Sequence, residues 1–108
     1  MSTSKIEKSR WEEYFDHLSN VTDAQLVTIE VVGLAIGDQV QAENVTFDGV
    51  SYDAANDVIV VQAGELEHMV QQPVNVFVLE EDSGLKSMEI TDAEENKHIL
   101  TFKPATSG

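Results

Sequence analysis

The apolar positions of this chain follow two periods. Over 9–20, Trp11, Tyr14, Phe15 and Leu18 recur at i, i+3, i+4 and i+7 and share one face of a helix. Glu12, Glu13, Asp16 and His17 take the rest of its surface. Ser9 and Glu12 have capping-box spacing, and Asn20 suits the C-terminal cap because it tolerates left-handed geometry. Glu12 and Glu13 lie at the positive end of the helix dipole. A helix this short is marginal alone in water, so its aromatic stripe calls for a surface to cover.

After Thr22 the period shortens to two. Val27, Ile29 and Val31 alternate with Thr28 and Glu30, which predicts a strand over 26–33. A second is expected over 38–47, after Gly33 and Gly37. Its phase slips between Val40/Ala42 and Val45/Phe47, which predicts a bulge near Glu43–Asn44. Asp48-Gly49 reads as a turn. Val50–Tyr52 and Val58–Val61 then pair across Ala54–Asp57. Gly64-Glu65 marks another turn, and 68–71 a short strand. Pro73 suits a strand start or edge. Val74–Leu79 is apolar on both parities apart from Asn75, so both its faces are expected to be covered. Asp82-Ser83-Gly84 turns the chain into a last hairpin, 85–90 with 98–102, around the acidic loop 92–96.

Connections this short mean antiparallel pairing. The expected fold is mainly β (α+β): one N-terminal helix packed on a strongly bent antiparallel sheet or small barrel of six to seven short strands. A flat sheet with the helix on one side is the alternative. The length of 108 residues fits one domain over 1–108, with 1–8 and 104–108 as loose termini. Apolar residues make up 42% and aromatic ones 6%, so the core is largely aliphatic.

Charge narrows the function classes. The net charge is −14, and from Trp11 onward three bases (Lys86, Lys97, Lys103) stand against nineteen acids. DNA, RNA and anionic lipid bind through Lys and Arg, so nucleic acid and membrane are not expected partners. Basic proteins and multivalent cations are favoured. A salt-adapted host would select the same bias. Cysteine is absent, which excludes disulfides, thiolate nucleophiles and cysteine metal sites and fits a cytoplasmic location. The polar stretch 1–10 lacks the apolar centre of a secretory signal.

No catalytic motif stands out. His17, His68 and His98 have no metal-ligand spacing between them. Of the three, His68 draws interest: it follows Glu65 and Glu67, and a neighbouring carboxylate would raise its pKa. Glu80-Glu81-Asp82 and Asp92, Glu94, Glu95 are acidic clusters that would hold a divalent ion loosely if their loops met, and 53–57 is a similar candidate. None matches the twelve-residue calcium loop. Ser51, Ser83 and Ser87 lack the context of a nucleophile, and no phosphate loop is present. The candidate polar-site residues are therefore His68, Glu65, Glu67, Glu80 and Asp92, with no cofactor expected.

One further pattern runs along the chain. Trp11, Tyr14 and Phe15 open the helix; Leu26–Val31 form the first strand; Ile36-Gly37, Gly49, and His68 ahead of Pro73 follow. Gly84 with Leu85, Met88, Glu89 and Ile90, then Leu100-Thr101-Phe102, close the order. This resembles a family of small acidic bacterial proteins known only as a domain of unknown function, over about residues 8–103. The resemblance implies a bacterial or archaeal source and a stand-alone domain. It transfers no catalytic or binding residue.

These readings converge on a soluble, non-enzymatic accessory or interaction domain with an acidic protein-binding surface. A small-molecule-binding β-barrel, its aliphatic pocket lined by Phe47, Phe77 and Met88, is the alternative. A hydrolase or metal protein built on His68 and acids from neighbouring turns is the third class. The sequence does not define the oligomeric state.

Overall fold

The computed structural model describes residues 2–21, 25–81 and 84–104. Strand β1 (Ser2–Lys5) precedes a 3₁₀ turn at Lys8–Arg10 and helix α1 (Trp11–Val21). Seven strands follow: β2 (Gln25–Gly33), β3 (Gly37–Asp53), β4 (Val58–Ala63), β5 (Leu66–Gln71), β6 (Pro73–Glu81), β7 (Gly84–Asp92) and β8 (Lys97–Pro104). They form one antiparallel sheet in the order β1-β6-β7-β8-β2-β3-β4-β5. Each end strand has one partner, β6 for β1 and β4 for β5, so the sheet is bent but not closed.

The helical period buries what it predicts. Trp11 and Phe15 are 1% and 0% exposed, Leu18 is buried, and Tyr14 is half-buried against them. The Trp11 indole N–H donates to the Ile6 carbonyl at 2.8 Å, and its ring meets Tyr52 edge-on at 5.1 Å. That contact fixes α1 on β3. The capping box does not form: Ser9 lies inside the 3₁₀ turn, whose N-cap is Glu7, without a side-chain cap. The helix also runs one residue beyond Asn20.

Three strand expectations change. Ser2–Lys5, placed above in a loose terminus, pairs with residues 77–80 of β6. This gives eight strands, one of them ahead of the helix. Asp48-Gly49 is not a hairpin turn. The chain runs straight through it as one 17-residue strand, with a register shift between Phe47 and Gly49. The Asp48 carboxylate accepts the Gly64 N–H at 2.9 Å, which holds the bulge against the β4–β5 turn. In β6, Val76 and Val78 are buried, but Val74 is 51% exposed, so only part of 74–79 is covered.

The predicted slip at Glu43–Asn44 is present. Val27 opposes Val45 while Ile29 opposes Ala42, and Asn44 takes φ 52°. β3 is the corner of the fold: its first half pairs with β2 and its second half with β4. The resulting curl encloses one core, from Trp11 and Phe15 through Ile29, Ile59 and Val70 to Met88 and Leu100. The turn at 82–83 and the tail 105–108 lie outside the described residues.

Candidate functional site

Alternation along β8 turns His98, Leu100 and Phe102 inward, and alternation along β5 turns Leu66, His68 and Val70 the same way. The bend of the sheet brings these two inner faces together. His68 Nε2 lies 2.9 Å from His98 Nδ1, and His98 Nε2 lies 2.9 Å from Asp92 Oδ2. The three residues form a hydrogen-bonded chain from the β7–β8 loop to the end strand of the sheet. His98 is 7% exposed, the one buried polar residue of the core among the described residues.

The loop shapes its own carboxylate. Asp92 Oδ1 accepts the N–H groups of Glu94 at 2.9 Å and Asn96 at 3.0 Å, and Oδ2 accepts the Asn96 side chain at 3.3 Å. Burial pushes the Asp92 carboxyl up, but the hydrogen bonds from His98, Asn96 and Glu94 outweigh it and hold the group below its usual range. An ionised Asp92 only accepts, so His98 Nε2 must carry a proton. In the neutral pair, His98 Nδ1 then accepts from His68 Nε2–H, which leaves the lone pair on His68 Nδ1. Gly33 abuts this loop, and a Cβ there would collide with the Asn96 side chain.

His68 titrates opposite to the sequence expectation. Its pKa falls to about 4, through burial first and the nearby His98 second. The expected partners point elsewhere. Glu65 is exposed in the β4–β5 turn. Glu67, on the outer side of β5, accepts from Gln62 at 3.5 Å. Glu80 sits beside Tyr14; burial and this carboxylate push the tyrosine up to about 12.

Of the five candidates, the fold thus brings together only His68 and Asp92, and it joins them through His98. Glu80 and Asp92 stand at opposite ends of the β6–β7 ladder, where Glu80 pairs with Leu85 and Pro73 with Asp92. At ~3.3 Å per residue this separates the two acidic clusters by roughly 20 Å. Asp53 accepts from Asn56 and Ala55 in a self-contained turn, and Asp57 accepts from the Tyr52 hydroxyl at 2.7 Å. No three His, Asp or Glu side chains converge on a metal position among the described residues.

The pocket residues also separate. Phe77 and Met88 line an open hollow of about 250 Å³ with Leu79, Glu89 and Ile99. Phe47 packs elsewhere, edge-on to Phe102 at 5.1 Å. Two polar hollows flank Asp48 and Gln62, of about 290 and 370 Å³. His68 lines none of the three.

A protein of Aquifex aeolicus (strain VF5) described as uncharacterized is 42% identical over 106 residues, covering 97% of this chain and 96% of its own length. The crystal structure of the Bacillus subtilis YojF protein has the same fold, with a TM-score of 0.57, 11% identity, and coverage of 99% of this chain and 100% of that one. No described helix is long and apolar enough to cross a membrane. The model of the family of unknown function DUF5335 matches residues 2–108, and the chain belongs to that family.

Proposed function

We propose that the chain is a non-enzymatic interaction domain that binds a basic protein through its acidic surface. The observation that carries this reading is the charge. Six bases face twenty acids, and two of the described lysines, Lys8 and Lys97, already lie 3.5 and 3.9 Å from Asp57 and Glu89. The unneutralised remainder produces a field that steers cationic partners and repels polyanions. An accessory role in the cytoplasm fits a chain without cysteine. The ligand-barrel reading gains no support, because the sheet is open and Phe47 stands apart from Phe77 and Met88. The Asp92–His98–His68 chain serves this reading as a structural tie, since no hydroxyl bonds to its terminal ring nitrogen among the described residues.

The test is an affinity capture from the native host at about 50 mM and about 500 mM salt. Basic proteins should be retained at low salt and released at high salt. A captured set indifferent to salt, or one dominated by nucleic acid, would overturn the reading.

A further inference from the structure

One side of the sheet has no cover among the described residues. Trp11 and Phe15 of α1 enter the core, and His68 of β5 reaches His98, so both elements lie on the inner side. No described element lies across the outer side of β6, β7, β8, β2 and the first half of β3. The strand registers align one row of side chains across it: Lys5, Phe77, Glu89, Ile99, Glu30 and Val40. Phe77 and Ile99 are half-buried, and Val40 is 59% exposed. From β6 to β3, apolar and acidic residues therefore alternate strand by strand.

Strand spacing gives this row a length scale. Neighbouring strands lie ~4.8 Å apart. A helix advances ~5.4 Å per turn, so a helix laid across the strands places one turn over each. Apolar turns then meet Phe77, Ile99 and Val40, and the turns between them meet Glu89 and Glu30. Asp38 lies two residues along β3 from Val40, on the same face and opposite Val32. Hydrogen bonding with the Asp38 carboxyl and repulsion from it raise the pKa of Glu30, so the two groups crowd each other. A cation placed there relieves that repulsion. Among the described residues a second copy of this chain offers no suitable α-helix, because α1 contains no Lys or Arg.

We infer that this outer face holds a basic amphipathic helix of a partner protein, laid across the strands, with Lys or Arg over Glu89 and Glu30 and apolar residues over Phe77, Ile99 and Val40. The inference rests on the acidic-surface reading above and names the surface and the shape of the partner. The Lys97–Glu89 contact at 3.9 Å is exposed and yields readily to a competing cation.

The probe is a synthetic helical peptide of about five turns, with Leu and Lys on alternate turns of one face. Amide shifts of the isotope-labelled full chain report where it binds. The expected result is shifts along β6, β7, β8, β2 and 38–41, with the Tyr52–Asp57 region unmoved. Charge reversal of Glu30 and Glu89 to Lys should weaken binding by at least about tenfold, and Ile99→Ser by a similar factor. Glu89→Gln, a milder change, should give a smaller loss. A scrambled peptide that binds equally well overturns the helix geometry. Shifts confined to the acidic turns at 53–57 and 64–67 overturn this surface but leave the acidic-partner reading standing. If neither peptide binds, this surface falls, and the capture at two salt concentrations decides the acidic-partner reading separately.

Discussion

His68 shows how one residue's surroundings reverse the chemistry that its neighbours in sequence imply. Its adjacent acids point away, and it instead meets a second imidazole in a half-buried place. Its folded pKa of about 4 lies below the unfolded value of 6.5, so the unfolded chain binds more protons between the two. Its effect on stability is neutral above about pH 6.5 and becomes a growing penalty as the pH falls toward 4. Asp92, held low, contributes stability that is lost only at more acidic pH. We therefore expect the thermal midpoint to fall between pH 7.5 and pH 5, and to fall less in His68→Gln. Parallel falls in the two proteins would clear His68 of this role. The sequence singled out His68 and Asp92 but not their link. His98 is thirty residues from His68, and only the curl of the sheet brings them together. The acidic loop 92–96, set between the last two expected strands, was the one local hint.

At the scale of elements, β3 does the most to shape the molecule. Its slip at Glu43–Asn44 was legible because the apolar parity changes there, which any continuous strand must absorb with an extra residue. Asp48-Gly49 misled because a turn dipeptide also suits a bulge, and sequence alone does not say whether the strand resumes in the same direction. β1 was hidden for another reason: Ser-Thr-Ser-Lys carries no apolar alternation, and its partner is distant. The helix was readable because four large side chains fix its face. At the bulge, Asn44 has φ 52°, and its N–H donates to the Thr28 hydroxyl at 3.1 Å. Asn44→Gly should be nearly neutral, whereas Asn44→Val should cost about 1–2 kcal/mol, since a β-branched residue resists left-handed backbone. Chemical denaturation of both variants checks this; equal losses would mean that the side chain, not the backbone, matters at this position.

Taken as a whole, the molecule carries −14 charges on a body with principal extents of 39 × 29 × 28 Å. Such self-repulsion works against the compact state and is screened within ~8 Å at physiological ionic strength and ~3 Å at 1 M. Raising sodium chloride from about 10 mM to about 500 mM should raise the melting temperature, and choline chloride should do the same if the effect is general screening. A rise with sodium alone would point to specific ion binding instead. One feature of the topology also bears on how the chain comes to be folded. Residues 2–5 clasp residues 77–80, so this segment must wait for a partner more than seventy positions later in the chain before it finds its place. Until then the flank of β6 is bare. Any change that removes or obstructs residues 2–5 would strip that flank permanently and leave a sticky margin for stray strands to join.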